Sequence, residues 1–117
     1  MSQLIIYHNP RCRKSRETLD IIRQSGEAPE IVEYLKNVPT EAELAQLVKL
    51  LGISPFELVR KGEAEYKNQY KGKDLSDAEW IAAMVAHPKL IERPIVVRDG
   101  KAILGRPPEN VNSLLNG

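Results

Sequence analysis

Near the start of the chain, two short apolar runs flank a helix-forming segment, and this arrangement limits the possible fold more than any other feature. Leu4-Ile5-Ile6-Tyr7 is a continuous apolar run and reads as a strand buried on both faces. Asn9-Pro10 ends it, because proline has no N–H to give to a ladder. A helix is expected from near Cys12 to about Ser25, with Leu19, Ile21 and Ile22 as its apolar residues. Glu30 to Leu35, carrying Ile31, Val32 and Tyr34, reads as a second strand. Strand, helix and strand within about 35 residues make a βαβ unit, so the two strands should run parallel.

The middle of the chain has a different character. Thr40-Glu41-Ala42-Glu43, Ser54-Pro55-Phe56-Glu57 and Ser76-Asp77-Ala78-Glu79 each have the pattern of a helix-opening capping box. Leu44, Leu47, Val48 and Leu51 follow the first at helical spacing, and Trp80, Ile81, Met84 and Val85 follow the third up to His87-Pro88. Strand character returns at Pro94-Ile95-Val96-Val97. Asp99-Gly100 then predicts a two-residue hairpin turn into Lys101-Ala102-Ile103-Leu104. Gly105-Arg106-Pro107-Pro108 leads to a last short helix with Val111, Leu114 and Leu115. This order is that of an α/β, thioredoxin-like fold. The expectation is a four-stranded mixed sheet, with a helical insertion (about 40–87) between the βαβ and ββα halves, in one domain over 1–117.

Composition narrows the function classes. A chain of 117 residues, 42% hydrophobic and 28% charged, suits a soluble globular domain. No apolar run reaches the roughly 20 residues needed to cross a bilayer. The N-terminus lacks the basic region of a signal peptide, so a cytoplasmic location is expected. A formal net charge of +1 argues against nucleic acid or an acidic membrane as partner. One cysteine cannot form an internal disulfide, and with two histidines it shows no metal-ligand spacing. No bound cofactor or metal is expected. A monomer is expected, because no apolar surface stripe is left once the core is assigned.

That one cysteine, Cys12, lies in the most basic stretch: Arg11, Arg13, Lys14 and Arg16 surround it, with no acid until Glu17. A thiol at a helix start in positive potential becomes a thiolate near neutral pH. The free N–H groups of residues 13 to 15 can point at an anion. Ser15 lies one turn on, so its hydroxyl could donate to the sulfur, and His8 at the strand end could add a donor or a charge. The alternative readings are an inert buried cysteine, a solvated face for Arg13, Lys14 and Arg16, and purely structural hydrogen bonds for His8 and Ser15. Arg60, Arg93 and Arg106 stand at element ends, where each could equally be a surface residue.

The chain resembles the glutaredoxin-coupled arsenate reductases, and within that group the short arsenate-reductase-like proteins. The resemblance runs essentially end to end. It rests on Tyr7-His8-Asn9-Pro10 followed by Cys12 and Ser15-Arg16, on Glu33-Tyr34-Leu35, on His87-Pro88, and on Arg93-Pro94-Ile95-Val96-Val97 followed by Gly105-Arg106-Pro107. It implies that Cys12 is the nucleophile and that His8 and Ser15 help keep it ionised. It further implies that Arg60, Arg93 and Arg106 surround an oxyanion, and that Pro94 is a cis proline facing the cysteine. The expected activity is reduction of arsenate, or a similar oxyanion, through a covalent thiol adduct, with glutathione as co-substrate and glutaredoxin as partner. Classical members carry small neutral residues where this chain has Arg11, Arg13 and Lys14, and have a longer tail beyond the position of Gly117. A related branch with Cys-x-x-Cys regulates transcription; position 15 here is serine. The alternatives are a non-catalytic or regulatory protein that binds another anion or a protein partner, and a general glutathione-dependent oxidoreductase.

Overall fold

The N-terminal apolar run forms β1 (Ile5–His8), the centre of the sheet that carries the cysteine loop. The computed structural model describes residues 3–115. After β1 come α1 (Arg13–Gln24) and β2 (Glu30–Glu33), and later β3 (Ile95–Arg98) and β4 (Lys101–Leu104). The sheet order is β2-β1-β3-β4. β2 lies parallel to β1, and β3 and β4 are antiparallel to their neighbours, as the βαβ and hairpin readings require. This mixed four-stranded sheet with α1 gives the thioredoxin-like α/β architecture.

Burial along β1 alternates. Leu4, Ile6 and His8 are buried, while Ile5 and Tyr7 are only partly covered. The run was expected to be covered on both faces; one face is fully covered and the other half-covered. The fully covered face meets α1 and the C-terminal segment in a core of Leu4, Ile6, Leu19, Ile22, Val96, Val111 and Leu114. Ile6, Ile22, Val96 and Val111 are 0% exposed, and each stabilises the fold by roughly 1.5–3 kcal/mol. The C-terminal segment is a tight turn, Pro108–Val111, running into α5 (Asn112–Leu115). The Arg98 guanidinium ties the hairpin to both ends of this core. It pairs with the Glu27 carboxylate and donates to the Leu114 carbonyl at 3.1 Å.

β2 stops at Glu33, two residues short of the expected end. The N–H groups of Lys36 and Asn37 both donate to the Glu33 carbonyl at 2.9 Å, which turns the chain at Tyr34-Leu35-Lys36. At the hairpin, Asp99 (φ 53°) and Gly100 (φ 72°) are both left-handed, the pairing that matches strand twist in a two-residue turn.

The flanking segments form one compact unit, and Val38–Glu92 forms another. It contains α2 (Glu41–Leu51), α3 (Pro55–Leu58), a wide turn at Tyr66–Tyr70, α4 (Asp77–Ala86) and a tight turn at Pro88–Leu90. Thr40 and Ser76 form complete capping boxes with Glu43 and Glu79. The third expected box, at Ser54, does not form. In this single-turn helix the Glu57 N–H is taken by the Ser54 carbonyl at 3.0 Å, so the hydroxyl turns to the Glu57 carboxylate instead. Phe56, Tyr66 and Tyr70 gather around the buried Trp80, with Phe56 and Trp80 ring centres 5.0 Å apart.

One close approach joins β4 to α1. A side chain at Gly105 would overlap the Thr18 hydroxyl and lie 2.7 Å from Pro94 Cγ. Gly105→Ala should therefore destabilise the protein by about 1–3 kcal/mol in urea denaturation. Gly62→Ala, where nothing lies within 4 Å, should change stability by less than about 0.5 kcal/mol. Equal effects would show that the approach is not tight.

Candidate active site

Cys12 is the N-cap of α1, with extended backbone angles (φ −93°, ψ 122°). Its N–H donates to the Asn9 carbonyl at 3.0 Å, and its carbonyl accepts from the Arg16 N–H at 3.0 Å. The Asn9 side chain accepts from the Arg11 N–H at 3.0 Å, which completes the turn. An N-cap side chain normally supplies an oxygen to the second and third N–H groups of the helix. Here sulfur stands in that place, opposite the N–H groups of Lys14 and Ser15. No full cap hydrogen bond closes on it.

The thiol is 8% exposed. Burial pushes it up. Against this act the Ser15 N–H, the charge and side-chain hydrogen bond of Arg93, and the Lys14 N–H, and the outcome is a pKa below the ordinary thiol value. The cationic side chain that lowers it is Arg93, from the distant start of β3. The cations of the local run are all exposed. Arg13 pairs with Glu17 at 3.4 Å, and Arg16 donates to the Pro10 carbonyl at 3.0 Å.

Ser15 and His8 form a buried pair beneath this turn. Ser15 is 0% and His8 6% exposed, and His8 Nδ1 lies 2.6 Å from Ser15 Oγ. The same oxygen accepts from the Asn9 N–H at 3.1 Å. The Ser15 hydroxyl was expected on the sulfur; the structure engages it with His8 and Asn9, and the Ser15 backbone N–H acts on Cys12 instead. His8 is held below its ordinary pKa, first by burial and then by Arg23 and Arg16, with Glu33 opposing. His8 and Glu33 are register partners on β1 and β2 and line one cavity of about 270 Å³ with Pro10, Arg11, Leu35 and Lys36.

Arg93 precedes Pro94, and the peptide bond between them is cis, as is Arg106–Pro107. Arg93 Nε is buried without a hydrogen-bond partner among the described residues. Arg106 is exposed, and its Nη1 reaches the Arg93 carbonyl at 3.5 Å. Cys12, Ser15, His8, Arg93 and Arg106 thus share one compact unit. Arg60 belongs to the helical unit, where it pairs with Glu63 at 3.2 Å and Glu92 at 3.3 Å. His87 caps α4 there, edge-on to Tyr70 at 6.0 Å. Two supporting residues escaped the sequence reading. Thr18 is 0% exposed, and its hydroxyl donates to the Lys14 carbonyl at 2.8 Å, with the Gly105 carbonyl at 3.4 Å. Asn9 organises the cysteine turn; the sequence marked it as a strand end and as part of the Tyr7-His8-Asn9-Pro10 motif, without a role of its own. Among the described residues, no group of three His, Cys, Asp or Glu could hold a metal ion, and no helix is long and apolar enough to cross a membrane.

The chain matches known proteins along nearly its whole length. Residues 7–114 match the ArsC family. The chain belongs to the ArsC family. Among its ArsC-like relatives, the Escherichia coli (strain K12) uncharacterized protein YfgD is 51% identical over 111 residues, covering 93% of each chain. An arsenate reductase of Escherichia coli is 44% identical over 116 residues, covering 98% of this chain and 82% of that one. The solved arsenate reductase of Vibrio cholerae superposes with a TM-score of 0.92 at 46% identity, covering 96% of this chain and 97% of that one. An arsenate-reductase-like protein is therefore established as the class to which this ArsC chain belongs.

Two outcomes follow from the electrostatics of this ArsC site. Arg93→Leu should raise the Cys12 pKa by about one unit in ultraviolet titration of the thiolate, and Arg13→Gln should move it by less than about 0.2. A larger effect from Arg13 would return the leading electrostatic role to the local run. The second concerns His8. Its folded pKa is depressed, so as pH falls the unfolded chain takes up a proton first. The related stability is complete above the unfolded imidazole value, about pH 6.5, and is lost as pH falls through the folded value. Urea midpoints of a His8→Asn variant should accordingly fall less steeply below about pH 6.5 than those of the wild type; parallel curves would contradict this.

Proposed function

We propose that this chain is an oxidoreductase that reduces arsenate to arsenite, with glutathione and glutaredoxin as the source of electrons. The observation that carries the reading is the Cys12 sulfur, held towards its thiolate by backbone N–H groups and by Arg93. The buried, unpartnered Nε of Arg93 suits a tetrahedral oxyanion, because a guanidinium presents several donors in one plane. Arg106 beside it can share the charge. The part given to Arg60 rests on the family resemblance alone. The similarity to arsenate reductases across most of the chain supports the choice of arsenic as the centre attacked.

The chemistry balances as follows. The Cys12 thiolate attacks arsenic in H₂AsO₄⁻, one As–O bond breaks, and with one added proton that oxygen leaves as water. The product is a Cys12–S–AsO₃H⁻ adduct. The chain holds one cysteine, so a second thiol must come from outside. A glutathione thiol attacks the Cys12 sulfur, and the S–As electron pair stays with arsenic. Arsenic(V) becomes arsenic(III), the two sulfurs become a mixed disulfide, and H₂AsO₃⁻ departs. Glutaredoxin then reduces that disulfide by thiol exchange and restores Cys12. A reducing compartment such as the cytoplasm fits this cycle.

A coupled assay with NADPH, glutathione reductase, glutathione and glutaredoxin tests the proposal. Arsenate-dependent NADPH oxidation is expected from the wild type. Cys12→Ser should bind oxyanion but show at least about a thousandfold less turnover, since loss of the nucleophile removes the covalent route. Arsenite formation by that variant would overturn the adduct. No arsenate-dependent NADPH oxidation, with a thiol pKa still low, would favour a protein that binds an anion or a partner without turnover.

A further inference from the structure

The chain holds one cysteine, so the thiol that releases Cys12 has to be recognised from solution, and a cavity beside the cysteine turn is shaped for that task. Its volume is about 270 Å³, and its wall comes from the end of β1, the turn before Cys12 and the end of β2. Ligand sites commonly measure roughly 300–1,000 Å³, so this one suits part of a small peptide, with the rest lying on the rim. Three charged side chains stand on the wall: Arg11 and Lys36, both exposed, and Glu33, partly buried. Pro10 and Leu35 add an exposed apolar rim. Lys36 and Glu33 approach to 3.7 Å, but with 78% and 40% of their side chains exposed the pair is loose, and each charge stays open to a ligand. Glutathione at neutral pH carries two carboxylates and one ammonium. The wall carries two cations and one carboxylate, the same pattern with every sign reversed.

The direction of attack argues for the same place. Displacement at a divalent sulfur runs in line, so the incoming thiolate stands opposite the arsenic that leaves. Arg93, which acts on Cys12, comes from the start of β3. In the sheet order β2-β1-β3-β4 the cysteine turn leaves the end of β1, with Arg93 on the β3 side and the cavity on the β2 side. Arsenic held by Arg93 leaves the cavity side free for the second thiol. We propose that this cavity is the glutathione subsite: Arg11 and Lys36 take the carboxylates, Glu33 takes the α-ammonium, and the sulfur is presented to Cys12 from the β2 side. Glutathione reacts as its thiolate, its proton having gone to solvent. An S–S bond forms, the S–As bond breaks with its electron pair on arsenic, and arsenic(III) departs on the Arg93 side.

This inference rests on glutathione as the source of the second thiol, but its first test needs no arsenate. S-methylglutathione keeps the three charges and has no free thiol; it is titrated into the ¹⁵N-labelled full chain. Saturable shifts are expected at the amides of Arg11, Glu33 and Lys36. Arg11→Ser, Glu33→Gln and Lys36→Met should each weaken binding at least about threefold, the loss of one charged contact. All three side chains are at least partly exposed, so these variants should fold as the wild type does. Arg13→Gln removes a cation from the same turn but not from the cavity wall, and should change affinity by less than about 1.5-fold. In the coupled assay, Lys36→Met should raise KM for glutathione at least about threefold and leave KM for arsenate unchanged. Absence of saturable shifts, shifts confined to residues of β3 and β4, or equal losses in Lys36→Met and Arg13→Gln would overturn the proposal. Binding at the cavity without arsenate turnover would keep this inference and sink the proposed reaction; turnover without binding there would do the opposite.

Discussion

The site is organised by the fact that a sulfur occupies the N-cap of α1. That position fixes its neighbours. Two backbone N–H groups face it because they begin a helix, and the helix is held in place by Leu19 and Ile22 in the core beneath. Taking a thiol out of water favours its neutral form, and at Cys12 burial does push in that direction. The opposing donors prevail because they are part of the backbone or, in Arg93, delivered by a packed hairpin. The lowered pKa of the thiol is thus a consequence of how α1 sits on the sheet.

The hairpin is the second half of that constraint. The Asp99-Gly100 turn sets Arg98 opposite Lys101 and hence Ile95 opposite Leu104. That register brings Pro94 and Gly105 together at the site end of the strands, where the Gly105 N–H donates to the Pro94 carbonyl at 2.9 Å. Arg93 and Arg106 are the residues flanking this pair. Gly105 in turn leaves room for Thr18, one turn along α1 from Lys14. A turn at the far end of two strands therefore determines which guanidinium reaches the sulfur, through register and a missing side chain.

Much of this frame was legible in the residues. The βαβ order, the hairpin and two of the three capping boxes depend on local spacing, and local spacing is what a sequence displays directly. The end of β2 was not legible, because Tyr34 and Leu35 look like strand residues while the turn is made by backbone N–H groups on the Glu33 carbonyl. Nor was the source of the positive potential. Arg11, Arg13, Lys14 and Arg16 are neighbours of Cys12 in sequence, but adjacent helix residues point in different directions, and these four face solvent. Arg93 acts on Cys12 from a remote part of the chain, a separation only the fold or a family resemblance can close. The Ser15 hydroxyl was misplaced for a similar reason: spacing put it one turn from the sulfur, while the buried His8 ring and the Asn9 N–H engage its oxygen.

The two sets of charges consequently act in different ways. Backbone dipoles and a partly buried arginine change little with ionic strength, since no layer of counterions separates them from the sulfur. They favour the ionised form of the thiol through groups whose positions are fixed by the fold. The exposed cations around the turn are screened within about 10 Å at ordinary salt, so they contribute little to the thiol itself. Their field acts on anions in solution, and it acts on the rate of encounter. The acidity of the thiol and the attraction of anions are therefore separable properties of this turn. One depends on how α1 and β3 pack, and the other on side chains that could change without disturbing either.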